Sequence, residues 1–239
     1  MPSQKAGEIE SRGDRMKEIT IVGISGSPRK KGNTALMVRR ALESAGRVEG
    51  VRTEFFDLSG MKIQNCLGCE ACRKQESLCV ALKDDMATLY PALMRSQAII
   101  LGSPVYFGDV TGLTKAFMDR TTCLGGTPAA GLQYALKWKI GAGITVGGAR
   151  YGGQEFALKT IHNFFLIHGM LLVSGIPSSG YWGAAGRAAQ RDEILQDGPP
   201  GPPVVEICDH LGWRVAMAAK YMAAAKEVLG EAPLHFTKK

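Results

Sequence analysis

The sequence predicts an α/β fold, with a parallel sheet as the middle of three layers and helices on both of its faces. Short apolar runs alternate strictly with longer stretches of helical periodicity, the pattern of crossover-connected parallel strands. Three of the apolar runs end in loops rich in glycine, serine or proline that lead towards a helix. At 239 residues, 45% of them hydrophobic, the chain can bury a core of that kind.

Each element has its own signal. Glu18 to Ile24 is a buried strand rich in β-branched residues. From Asn33 to Ala45, Ala35, Val38, Ala41, Leu42 and Ala45 fall on one helical face. Val51 to Leu58 is a second strand. Asp84 and Asp85 are placed to cap a helix whose buried stripe is Met86, Leu89, Tyr90 and Leu93. Gln97 to Gly102 is the third strand and Leu113 to Thr121 the next helix. Lys139 to Val146 is the fourth strand, Gln154 to His168 a helix, and Met170 to Ser174 the fifth strand. A last long helix, Val205 to Leu229, follows the Gly198 to Pro203 punctuation. The expected organisation is a loose tail at 1–16, or a stretch ahead of a second start at Met16, and then one domain over 17–230. That domain carries a cysteine-bearing insertion at 62–82. The segment between Pro177 and Pro203 has no decodable pattern.

Charge and composition exclude several classes. The formal charge is +7, but Lys and Arg are scattered, with neither a basic stripe nor a reading motif for nucleic acid. A basic surface suits solubility and docking of an acidic protein. No apolar run approaches the ~18 residues needed to cross a bilayer, and the polar N-terminus has no signal core, so a cytoplasmic protein is expected. Its six cysteines should then be reduced, and a close cluster of them points to metal rather than disulfides.

Ligands on open parallel sheets bind beyond the carboxyl ends of the strands. After the first strand, Ser25-Gly26-Ser27-Pro28-Arg29-Lys30-Lys31-Gly32-Asn33-Thr34 offers glycine amides, hydroxyls, a cation and a helix start to a phosphate. It lacks the Gly-Lys-Ser/Thr of a triphosphate loop and the glycine spacing of a dinucleotide fingerprint. After the third strand, Pro104-Val105-Tyr106-Phe107 can flank a flat ring, or equally cover the sheet edge as a core aromatic pair. After the fourth, Gly147, Gly148, Gly152 and Gly153 surround Tyr151 and precede Gln154, a backbone cost that makes sense where chain lies against a ligand.

Cys66, Cys69, Cys72 and Cys79 follow the spacing C-x2-C-x2-C-x6-C. Soft thiolates at this spacing select an iron–sulfur cluster or zinc. The tight triplet favours a cubane, since structural zinc usually takes two separated pairs. Arg73 and Lys74 would offset thiolate charge, while Glu70, Glu76, Asp84 and Asp85 would oppose that. Cys123 and Cys208 stand outside the motif and read as small core residues.

Three segments, GISGSPRKKGNT (Gly23 to Thr34), SPVYFGDVTGLTKAFMDR (Ser103 to Arg120) and TVGGARYGGQEFALKTIHNFFLIHGM (Thr145 to Met170), resemble the flavodoxin-like NADPH-dependent FMN reductase superfamily. Within it the chain is most similar to the iron–sulfur flavoproteins, whose compact cysteine motif the four thiols match with a longer last gap. The resemblance implies a flavodoxin-like sandwich with a five-stranded sheet in the order 2-1-3-4-5. It implies that Ser25, Ser27, Arg29, Asn33 and Thr34 hold the phosphate of FMN. Pro104, Val105, Tyr106, Phe107 and Gly147 to Gln154 would embrace its ring and ribityl chain. The thiolates of Cys66, Cys69, Cys72 and Cys79 would hold a [4Fe–4S] cluster. It further implies exchange between one-electron donors, such as a ferredoxin, and two-electron acceptors. A homodimer or homotetramer would bring the cluster of one subunit near the flavin of another. The rival expectation is an NAD(P)H-dependent FMN or quinone reductase with structural or zinc-bound cysteines, in which His162 or His168 could assist a substrate.

Overall fold

In the computed structural model, which describes residues 18–125, 134–149, 151–175, 180–188, 194 and 203–230, the elements run in the order the periodicity implies. They are β1 (Ile19–Ser25), α1 (Asn33–Gly46), β2 (Val51–Asp57), α2 (Ala71–Lys74), α3 (Met86–Arg95) and β3 (Ala98–Pro104). Then come α4 (Gly112–Arg120), β4 (Ile140–Gly147), α5 (Gln154–Ile167), β5 (Leu171–Leu172), β6 (Ala184–Arg187) and α6 (Val204–Leu229). The expected tail at 1–16, Arg150 and most of the segment from 177 to 203 lie outside the described residues. Among the described residues, no helix is long and apolar enough to cross a membrane.

The sheet is parallel, in the order β2-β1-β3-β4-β5. β1, β3 and β4 are buried almost end to end, which is why they read as continuous apolar runs rather than alternating ones. One core packs Met37, Val38, Ala41 and Leu42 of α1 and Ile207, Leu211 and Val215 of α6 against one face. The other packs Leu89 and Leu93 of α3, Phe117 of α4, and Ile161 and Phe165 of α5 against the opposite face.

The fifth strand departs from expectation. Only Leu171–Leu172 pairs there, alongside Ile140 and Gly141 of β4. The chain then leaves the sheet and returns as β6, whose Ala184–Arg187 pairs in parallel with Ile144–Gly147 of the same strand. One strand position is thus filled in two pieces, giving six strands where five were expected. Ala-Ala-Gly-Arg has little β propensity of its own, so the ladder offered by β4 decides the conformation.

Helix capping also differs in detail. Asp85 directly precedes α3, but its carboxylate accepts the Lys62 N–H at 2.6 Å. It is Asp84, one residue earlier, that accepts the Met86 N–H at 3.2 Å.

Candidate functional site

The order of the sheet reverses between β1 and β3, and the crevice beyond their carboxyl ends is where such folds bind ligands. A cleft of about 220 Å³ opens there. The first loop contributes Ser27, Arg29, Gly32, Asn33 and Thr34; the β3 exit contributes Pro104, Val105 and Tyr106; the β4 exit contributes Gly147 and Gly148. None of the lining residues is acidic.

The first loop is built to present its backbone. Gly26 donates its N–H to the Gly102 carbonyl at 2.8 Å, and a Cβ at Gly26 would lie 1.9 Å from Thr114 Oγ1. The Gly26 carbonyl accepts from Thr111 Oγ1 at 2.7 Å, while Thr111 also caps α4 by accepting the Thr114 N–H. Ser27 Oγ accepts the Arg29 N–H at 3.1 Å. Helix α1 starts at Asn33 with no side-chain cap and no acidic residue in its first turn. Its leading N–H groups and dipole therefore remain available to an anion. Beneath the loop, the Ser25 hydroxyl is completely buried and has no hydrogen-bond partner among the described residues, an arrangement that costs free energy unless a ligand completes it.

The second loop is a tight turn in which Tyr106 and Asp109 exchange both backbone hydrogen bonds, at 2.8 and 3.1 Å. Phe107 and Gly108 take left-handed φ angles of 50° and 78°, as a type I′ turn requires. Phe107 is fully exposed at the tip. Tyr151 repeats the combination in the third loop, with φ 57° and 98% exposure. Holding bulky residues there costs on the order of 1–3 kcal/mol each, and such strain concentrates at ligand clamps. The two loops touch: Gly153, at φ 99°, has no room for a Cβ, which would lie 2.8 Å from the Cα of Gly108.

Gln154 serves the loop itself. Its amide accepts the Gly152 N–H at 2.8 Å and donates to the Ala149 carbonyl at 2.7 Å. Of the remaining residues singled out in the sequence, Phe107, Tyr151, Gly152 and Gly153 flank the cleft without lining it, and Ser25 lies at the end of β1. Gly32, Val146 and Ala188 line it and were not foreseen. Gly32 lay inside the quoted loop; Ala188 arrives only because β6 pairs with β4, which no local pattern reveals. Together an uncapped helix start, a cation, the Ser27 and Thr34 hydroxyls and glycine-lined walls fit the phosphate and polar chain of FMN.

All four motif cysteines line a second cleft of about 250 Å³. They are free thiols, Cys66 and Cys69 exposed, Cys72 and Cys79 half-buried. Among the described residues, no three His, Cys, Asp or Glu side chains converge as around one ion. Thiols spread around a shared cleft fit a cubane, which holds its ligands further apart than a single ion does. Left-handed backbone at Gly68 and Glu70 curls the chain between the cysteines, and the short α2 carries Cys72.

The charges around this cleft are not those expected from sequence. Asp84 does not oppose thiolate charge freely: Arg120 donates to both its oxygens, at 2.5 and 3.1 Å. Burial pushes the Asp84 carboxyl upward, but the Arg120 fork and the N–H groups of Gln64 and Met86 outweigh it and hold it below its ordinary value. Glu70 pairs with Arg73 at 3.5 Å on the surface. Arg120 and Thr122 sit on the cleft wall, and sequence reasoning assigned neither a role. Cys123 and Cys208 are buried core thiols, both pushed up by burial, Cys208 to about 12.

Neither His162 of α5 nor His168, just past its end, lines the first cleft. His162 stacks on Trp182, with ring centroids 5.8 Å apart, and burial lowers its pKa. His168 is buried below α5, and burial pushes it down to about 4.

The family model for NADPH-dependent FMN reductases matches residues 19–183. An iron–sulfur flavoprotein of Methanocaldococcus jannaschii is 41% identical over 84% of this chain and 97% of its own length. An iron–sulfur flavoprotein of Methanosarcina thermophila is 37% identical over 73% of this chain and 86% of its own. The solved WrbA-like flavodoxin of Agrobacterium tumefaciens shares the fold, with a TM-score of 0.57 and 19% identity over 86% of this chain and 99% of its own. The chain belongs to the NADPH-dependent FMN reductase family of flavin-dependent oxidoreductases and, within it, to the iron–sulfur flavoproteins.

Proposed function

We propose that the protein carries FMN in the first cleft and a [4Fe–4S] cluster in the second, and passes electrons between one-electron donors of the ferredoxin kind and two-electron acceptors. The observation that carries this reading is the presence, in one chain, of an anion cradle at the sheet's switch point and four free thiols around a separate cleft. When bound, the two groups supply a centre that handles electrons in pairs or singly and one that handles them singly. The protein's part is to bind and orient. Ser25, Ser27, Arg29 and the start of α1 take the phosphate, the β3 and β4 exits lie along the flavin, and Cys66, Cys69, Cys72 and Cys79 ligate iron. No side chain is assigned acid–base chemistry.

A cytoplasmic homodimer or homotetramer belongs to the same reading. Phe156 and Ile167 of α5, with Tyr181 and Trp182 ahead of β6, leave large apolar side chains 50–72% exposed, which suits an assembly surface. The +7 charge suits electrostatic steering of an acidic donor. Mixing the anaerobic protein with reduced ferredoxin should bleach the flavin at a rate that falls steeply as salt is raised. A second reading, direct reduction by NADPH, is favoured by the description of the matching family. Rapid bleaching by NADPH, with none by ferredoxin, would replace the first reading with the second.

A further inference from the structure

Arg120 ends α4 with its side chain only 1% exposed, and its ion partner Asp84 is completely buried. The pair grips the chain two residues ahead of the first motif cysteine. Arg120 donates to the Gln64 carbonyl at 3.1 Å, and Asp84 accepts the Gln64 N–H at 2.9 Å. Tyr90 fixes the Arg120 backbone by donating its hydroxyl proton to the Arg120 carbonyl at 2.8 Å. The cleft wall formed by the four cysteines includes Arg120 but not Asp84. Although the pair is neutral in sum, the cleft therefore borders its positive end. The buried Nε–H of Arg120 has no hydrogen-bond partner among the described residues. A buried donor of this kind is costly unless something accepts from it.

From this geometry we infer that Arg120 is the positioning residue of the cysteine cleft. Locked by Asp84 and Gln64, it sets a fixed positive charge beside the thiolates and sulfide of the cluster. The inference rests on the cluster reading above. Charge and hydrogen bonds to sulfur favour the reduced, more negative state of such a centre and so raise its potential.

The test is a redox titration of the cluster, with iron, acid-labile sulfide and flavin counted per chain, in wild type, Arg120→Gln, Arg120→Lys and Asp84→Asn. Flavin content reports folding, since neither member of the pair lines the flavin cleft. The potential is expected to move negative in R120Q and less so in R120K, which keeps charge but loses the fork. It should move positive in D84N, where the guanidinium stays charged without its counterion. Shifts of opposite sign are the signature. Reduced cluster content in every variant, with the potential of the surviving cluster unmoved, would overturn the inference and leave a purely structural pair. Should R120Q fail to fold, D84N against R120K decides on the same criterion. A wild-type protein without iron would instead sink the cluster reading itself.

Discussion

Ser25 carries the most economical test of the flavin cradle. Its hydroxyl is buried without a partner among the described residues, so Ser25→Ala removes no protein hydrogen bond. Stability of the flavin-free protein should be unchanged within about 0.5 kcal/mol. Affinity for FMN should fall up to about tenfold, the worth of one hydrogen bond. Equal affinity by fluorescence titration would remove Ser25 from the site. His168 offers a pH test. Thr121 gives its hydroxyl proton to the Met118 carbonyl at 2.6 Å and so accepts from His168 Nε2, 2.9 Å away; Nδ1 is left bare and buried. Burial holds the imidazole neutral down to about pH 4. The unfolded chain takes up its proton near pH 6.5, so this contribution is present above pH 6.5 and is lost as pH falls from there towards 4. Relative to His168→Leu, wild type should lose up to about 3 kcal/mol over that window in denaturant titrations. A constant difference between the two would contradict the buried neutral form. The loop residues were legible because glycine, hydroxyl and cation lie together in sequence. Arg120 and Asp84, 36 residues apart, were not, since nothing local announces an ion pair that the fold alone assembles.

Helix α4 ties the two clefts together. Thr111 and Thr114 at its start hold the Gly26 carbonyl of the first loop, and Arg120 at its end walls the thiol cleft. At 1.5 Å per residue its nine residues span about 13 Å. Strands β1, β3 and β4 were readable as continuous apolar runs because they are buried almost end to end, and the long helices because one face of each is buried. The two-piece edge strand was not, because Ala184–Arg187 becomes a strand only through its pairing with β4. Close approach of α1 and α6 is equally non-local. A Cβ on Gly212 would lie 1.9 Å from the Ala41 carbonyl, so Gly212→Ala must push the helices apart. A loss of about 1–3 kcal/mol in unfolding free energy is expected, with the flavin site untouched. An unchanged midpoint would show that the two helices are free to shift.

At the scale of the molecule, one sheet organises two sites by different physics. The first cleft is assembled from strand exits, with a helix start, Ser27, Arg29 and Asn33 supplying its polar groups. The thiol cleft is a loop insertion of little secondary structure, pinned from below by a buried ion pair. Its four cysteines lie on a short segment held by few backbone ladder bonds, so metal binding and local order are expected to be coupled. The most direct measurement is therefore the content of protein purified without oxygen. Two centres per chain require one FMN with about four irons and four acid-labile sulfides, and loss of the iron in Cys69→Ala. Flavin with neither iron nor sulfide, even after anaerobic reconstitution, would contradict the two-centre carrier and leave a flavin reductase with a bare thiol cleft.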